Sequence, residues 1–241
     1  PASALALRCA LEASERFSPR SALALSSVAA LCGAASGLLA RGGLRQLVPG
    51  RRAAASSAAF MGGTLGRCAL LIYASHFTGS LELSRMQAAP LLALSSAALY
   101  ALRHQPFKRP EGRSSLFLLA LLCGLCDGFV GAGGMALLAL FSPGGVRRRS
   151  GAPSSLSLLI SLCAQAGALL LTLFAGAAQV FPPRMLLFLA LGAAAGGFLA
   201  QKERGASPKG LRAALITYGV VALLSVLEQA FYAAPQSWAA P

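Results

Sequence analysis

The chain has 241 residues, of which 56% are hydrophobic and only 12% are charged, and its mean hydropathy is +0.66. A soluble globular domain carries about 25% charged residues, so this composition excludes an ordinary soluble fold and predicts an integral membrane protein. The net charge of +14 does not indicate nucleic-acid binding, because the basic residues stand in short clusters between apolar runs, as the positive-inside rule expects of cytoplasmic loops.

In chain order we predict five parts. Residues 1–20 form a cytoplasmic lead-in that lacks the order of a signal peptide, and residues 21–103 form a first membrane repeat. Residues 104–113 form a cytoplasmic linker, residues 114–232 a second membrane repeat, and residues 233–241 a tail.

Five stretches are predicted to be simple membrane crossings: residues 53–77, 86–102, 153–181, 185–201 and 211–232. The stretches 53–77, 86–102 and 211–232 are each about the 20 residues that a tilted helix needs to cross about 30 Å of hydrocarbon, and 153–181 and 185–201 are two further uncharged spans. Their Leu, Ala and Gly content favours helices over the alternating pattern of a β-barrel.

The stretch from Ser114 to Val146 has a different pattern. Its only charge is Asp127, and an unbroken helix of that length would be about 50 Å long, which is too long for one crossing. The glycines at 131, 133 and 134 therefore predict a break inside the membrane, followed by a short helix that returns to the face it left. Residues 21–49 have the same plan, with Arg41, Gly42 and Gly43 at the break.

An internal repeat links these two stretches at an offset of 91 residues. The matching pairs are Cys32-Gly33 with Cys123-Gly124, Gly37 with Gly128, and Gly42-Gly43 with Gly133-Gly134. The predicted fold is an all-α integral membrane protein of about seven membrane segments in two repeats, each opening with a glycine-broken re-entrant helix hairpin.

Charge counting favours the hairpins over through-crossings. If both hairpins return to the cytoplasmic face, most of the 21 Lys and Arg residues lie on that face, together with the N-terminus. We therefore expect a multi-pass protein of the cell (plasma) membrane with a cytoplasmic N-terminus.

The second glycine cluster carries a family resemblance. The pattern GxxxGFxGxGG, followed by an apolar run and Pro143, is similar to that of the sulfite exporter TauE/SafE family of membrane permeases. Its positions here are Gly124, Gly128, Phe129, Gly131, Gly133 and Gly134. The resemblance covers most of residues 24–232 as a twofold repeat, and it implies a permease for small sulfur-containing or organic anions.

We expect the substrate to bind between the two glycine breaks, where half-helix termini and their N–H groups would face a common cavity. The candidate residues are Arg41, Gly42, Gly43, Arg67, Asp127, Gly131, Gly133, Gly134, Ser154 and Gln165. A charge near the bilayer centre costs at least about 2.5 kcal/mol, so such residues usually face a cavity or a partner. A guanidinium also suits an oxyanion, which it binds bidentately.

Each of these assignments has an alternative. The glycines also suit close helix packing, and Arg41 and Arg45 could lie shallow and snorkel to water. Asp127 suits proton coupling, pairing with an arginine of the other half, or capping of the break. Ser154, Ser155 and Gln165 suit interhelical hydrogen bonding as well as a transport path.

The predicted function is a permease or exporter that moves small anions, such as sulfite or organosulfonates, across the plasma membrane. Its partners would be the lipid bilayer and the anion, with a possible homo-oligomer and no cofactor. No catalytic constellation is present in the sequence, so an enzyme is not expected. A noncatalytic membrane scaffold or assembly factor is the alternative, and a thiol-redox protein using Cys123 and Cys126 is a third.

Overall fold

The computed structural model describes residues 19–40, 49–78, 113–131, 155–177 and 183–202, together with single positions at 93, 96, 216, 220, 223, 224 and 227. The described ranges contain five α-helices and no strand. These are α1 (Pro19–Ala40), α2 (Pro49–Tyr73), α3 (Arg113–Val130), α4 (Ser155–Thr172) and α5 (Pro183–Lys202).

The helix ends follow from local chemistry. Helices α1, α2 and α5 begin with a proline, whose fixed φ suits the first helical turn and whose missing N–H is not needed there. Helices α2 and α4 both close with a five-residue π-helical turn, Ala74–Thr78 and Leu173–Ala177. Serine and threonine hydroxyls inside the helices donate to carbonyls of their own helix, as Thr64 Oγ1 does to Phe60 O at 2.9 Å.

Four of these helices are long and apolar enough to cross a membrane: Ser21–Ala40, Arg52–His76, Arg113–Val130 and Ser155–Ala175. A shorter apolar helix covers Leu186–Leu199. The predicted crossings at 53–77, 153–181 and 185–201 thus correspond to helices. The described positions of the predicted segments 86–102 and 211–232 are helical as well, but most of those two segments lies outside the described residues.

The polarity of the bundle is that of a membrane-embedded protein. Large apolar side chains face outward, with Phe174 80% and Phe188 72% exposed. Polar side chains lie inside, including Arg67, Asp127 and Gln165, each at most 2% exposed. Large exposed apolar side chains are favourable in contact with lipid, whereas in contact with water they are unfavourable.

Among the described helices, α4 packs against α1, α2 and α3, α2 packs most closely against α3 and α4, and α1 packs against α4 and α5. A core of alanines on α2, with Leu116, Cys123 and Ile160, fills the space between α2, α3 and α4. Because α2 contacts two helices of the second predicted repeat, α3 and α4, a group on its inner face lies next to residues from the other half of the sequence.

Helices α2 and α3 run in the same direction. A β-carbon at Gly50 would lie 4.0 Å from Cζ of Arg113, and further along, a β-carbon at Gly66 would lie 2.9 Å from the backbone N of Phe129. Their N-terminal ends, marked by Arg52 and Arg113, are therefore on the same side of the bundle. This is the relative placement that charge counting predicted for the loops at 51–52 and 103–113.

The buried faces of α2 and α4 coincide when the two helices are aligned with a shift of 98 residues. Both members of each of six pairs are buried: Gly62 and Ile160, Gly63 and Ser161, Gly66 and Ala164, Arg67 and Gln165, Leu70 and Ala168, and Ala74 and Thr172. In this alignment Arg67 and Gln165 take the same place on their helices.

Candidate functional site

Helix α3 ends at the first glycine of the predicted break. Gly131 has a φ of +84°, in the left-handed region that favours glycine, and its N–H donates to Asp127 O at 2.9 Å. The first helix of the hairpin predicted within Ser114–Val146 therefore ends at Val130, where the predicted glycine break begins. The returning half-helix, with Gly133 and Gly134, lies outside the described residues.

This helix end lies within the depth of the bundle. Phe129 is beside Gly66 of α2, so α3 ends near Cys68, while α2 and its π-helical turn continue to Thr78. At 1.5 Å per residue, α3 stops about 15 Å short of the end of α2. Backbone that leaves a helix at such depth must be covered by protein or by a polar cavity, because lipid cannot satisfy its polar groups.

Gln165 of α4 contacts the end of α3. Its side-chain Nε2 donates to Gly131 O at 3.2 Å and to Asp127 O at 3.4 Å, and the residue is only 2% exposed. The last four carbonyls of a helix have no partner within the helix, so an amide donor here satisfies backbone that lipid would leave unsatisfied.

Arg67 lies on the inner face of α2 and is 1% exposed. Its Nη2 donates to Ser27 Oγ of α1 at 3.2 Å, and its backbone N would lie 2.9 Å from a β-carbon at Gly128 of α3. The backbone of Arg67 thus lies beside the last turns of α3, and its buried guanidinium reaches α1, in a segment long and apolar enough to cross a membrane.

Asp127 occupies the last full turn of α3 and is also 1% exposed. Its carbonyl accepts the closing hydrogen bond of the helix from Gly131 and one bond from Gln165. In the sequence Asp127 directly precedes Gly128, whose α-carbon faces the backbone of α2. The structure therefore brings together four of the ten predicted site residues, Arg67, Asp127, Gly131 and Gln165, where α2, α3 and α4 meet.

The other predicted site residues lie outside the described part of the chain. They are Arg41, Gly42, Gly43, Gly133, Gly134 and Ser154. Helix α1 ends at Ala40, one residue before the first predicted break.

The electrostatic character of the described helix end differs from that of a half-helix N-terminus. A helix C-terminus carries partial negative charge, and α3 presents carbonyls at Gly131. An anion near this level would therefore be attracted by Arg67 and not by the end of α3.

Several glycines permit close helix contact, and those of α2 were not singled out by the sequence analysis. On α2, Gly62, Gly63 and Gly66 lie against backbone atoms of α3 or α4, and on α3, Gly124 and Gly128 lie against backbone atoms of α2. The Gly62-xxx-Gly66 spacing was the available signal, since small residues four apart let helix backbones approach closely. For Gly124 and Gly128 the packing interpretation is therefore the one that the contacts support.

Ser27 was missed as well. It lies in the apolar run of α1, and no spacing in the sequence links it to Arg67, 40 residues later. The thiols of the proposed redox pair are both free, with Cys123 buried inside the core of α2, α3 and α4 and Cys126 half-buried.

No protein-family model matches this chain, and neither the curated proteins nor the solved structures contain a match.

Proposed function

We propose that the protein is a membrane permease that moves small anions across the plasma membrane through a site at the level where α3 ends. The observation that carries this proposal is Arg67, a guanidinium 1% exposed inside a bundle whose outer surface is apolar. A buried charge in such a bundle is costly, and buried charges of this kind usually mark substrate or ion pathways.

The substrate class follows from the chemistry of this group. A guanidinium is planar and remains charged, and its N–H groups can bind two oxygens of a carboxylate, a sulfite or a sulfonate at once. The backbone of Arg67 lies beside Gly128, three residues before the glycine that ends α3. Small oxyanions, with sulfite as the first candidate from the family resemblance, are therefore the proposed substrates.

The twofold repeat of about seven segments, with re-entrant hairpins, is part of the same proposal. It is supported by the matching buried faces of α2 and α4 and by the π-helical turn that closes each of them. Permeases built from repeats place their sites at discontinuous helices between the halves, which suits the position of Arg67 and Gly131.

Flux into proteoliposomes tests the proposal. Purified protein would be reconstituted and the uptake of labelled sulfite, an alkylsulfonate and a simple carboxylate compared with that of empty vesicles. We expect saturable uptake of at least one of these anions, and we expect Arg67→Gln to reduce it by roughly tenfold or more, because a bidentate charged contact is lost.

The matched control is Arg52→Gln, which removes the same charge from the exposed start of the same helix. This variant should retain uptake. If Arg67→Gln transports as well as the wild type, or if no anion enters above the rate of empty vesicles, the proposal is wrong.

A noncatalytic membrane scaffold is the second candidate, and the close glycine contacts between α2 and α3 favour it, because they make a rigid helix pair without any need for a substrate. Replacing Gly133 and Gly134 by Ala separates the two candidates. A permease should stay folded and lose anion flux, whereas a scaffold should tolerate the change or lose assembly with its partners.

A further inference from the structure

Gln165 and Arg67 take equivalent places on α4 and α2, but their side chains contact different things. Arg67 reaches a side-chain hydroxyl on α1, whereas Gln165 reaches two backbone carbonyls at the end of α3. In the alignment of the two helices, each donates to the first helix of its own half of the sequence. At this equivalent position the first half of the sequence has a charged donor, Arg67, and the second half has a neutral amide, Gln165.

The amide nitrogen of Gln165 faces two carbonyl oxygens, Asp127 O and Gly131 O. A glutamine Nε2 has two N–H donors, so the two carbonyls match its donor capacity. The two acceptors also belong to different parts of the chain, since Asp127 is in the last turn of α3 and Gly131 is the residue after it.

We propose that Gln165 is a positioning residue of the permease, which fixes the direction in which the chain leaves α3 and does not bind the transported anion. Gly131 in its left-handed conformation has few steric restraints, because no atom lies within 4 Å of the place a β-carbon would take. The amide of Gln165 supplies the missing restraint by joining the two sides of the break. The role in transport rests on the proposed function, whereas the restraint that Gln165 places on the end of α3 does not.

Hydrogen–deuterium exchange of the protein in lipid nanodiscs tests the restraint without any transport. Gln165→Met keeps the length of the side chain and removes both donors. We expect the amide of Gly131 to exchange roughly tenfold faster in this variant, because Asp127 O and Gly131 O both lose the donor from Gln165 and the last turn, held by the bond from Gly131 N to Asp127 O, opens more often. Exchange within α5, which does not contact Gln165, should be unchanged.

Ser161→Ala is the matched control, since Ser161 is also buried on α4, one turn before Gln165. It should leave the exchange of Gly131 as in the wild type. If Gln165→Met does not fold, Gln165→Asn serves instead, because its amide is one methylene too short to reach both carbonyls. Unchanged exchange at Gly131, or an equal increase in every helix, would overturn the inference.

Sulfite uptake then separates positioning from binding. A positioning residue should lower the maximal rate per folded molecule by roughly tenfold, with the half-saturating sulfite concentration within about twofold of the wild-type value. A direct ligand would instead raise the half-saturating concentration and leave exchange at Gly131 unchanged, which contradicts the inference. If the wild type transports no anion, the proposed function fails, and the exchange experiment still decides the role of Gln165.

Discussion

At Gly63 the place of a β-carbon is taken by the backbone of Ala164 on the neighbouring helix α4. We predict that Gly63→Ala forces α2 and α4 apart and lowers the free energy of unfolding by about 1 to 3 kcal/mol, as overpacking of a close contact does. Thermal unfolding in detergent micelles would measure this as a lower midpoint. Gly192→Ala is the control, because nothing lies within 4 Å of its β-carbon position, and its midpoint should not fall. Equal midpoints for the two variants would contradict the packing role.

Sequence reasoning at the residue scale was most informative for residue types that are rare in membrane segments. Arg67 and Asp127 stand in apolar runs predicted to lie in the membrane, where charges are rare, and both are buried. The close contacts of Gly62, Gly63 and Gly66 were not predicted, because a glycine spacing on one helix does not reveal which helix lies opposite. Ser27 was missed for the same reason, since its partner is on another helix.

At the scale of single elements, the end of α3 depends on Gly131. A non-glycine residue at a φ of +84° pays roughly 1 to 2 kcal/mol, so Gly131→Ala should destabilise the protein by about that amount. Gly131→Asn should cost less, because asparagine tolerates the left-handed region better than alanine. No atom lies near the new β-carbon, so backbone conformation alone is tested.

The measurement for Gly131 is the same thermal unfolding series, with Gly196→Ala as the control in open space on a regular helix. The expected order of midpoints is wild type, then Asn, then Ala. An alanine variant as stable as the wild type would show that α3 does not need the left-handed turn.

The elements themselves were largely predictable, and their ends were not. The apolar run at 53–77 gave the crossing, but the helix begins earlier, at Pro49, because a proline suits the first helical turn and a helix extends past the hydrocarbon into the interface. The glycines at 131, 133 and 134 predicted where α3 stops, since two adjacent glycines and a third nearby weaken a helix. Hydropathy did not predict the π-helical turns, because hydropathy does not distinguish a π-helical turn from the α-helix that it closes.

For the whole molecule, composition predicted a membrane protein, and four described helices are long and apolar enough to cross a membrane. That Arg67, Asp127 and Gln165 are buried within the bundle is shown by the structure. The neighbours of each helix could not be predicted, because hydropathy identifies spans and says nothing of their packing order. That α2, α3 and α4 all pack against one another is therefore information from the structure alone. It is this order that brings the four described site residues to one level.

The parallel run of α2 and α3 gives a prediction about membrane topology. Arg52 and Arg113 are both exposed at the starts of these helices, and His76 is exposed near the end of α2. In a background with the six native cysteines replaced by Ala, single cysteines at 52 and 113 should react with a membrane-impermeant maleimide from one side of the vesicle membrane. A cysteine at 76 should react from the other side, because α2 is long enough to cross.

Comparison of right-side-out with inverted vesicles would also identify the side on which positions 52 and 113 lie, which the positive-inside rule predicts to be cytoplasmic. Labelling of 52 and 113 from opposite sides would contradict the parallel packing, and labelling of 52 and 76 from the same side would show that α2 does not cross.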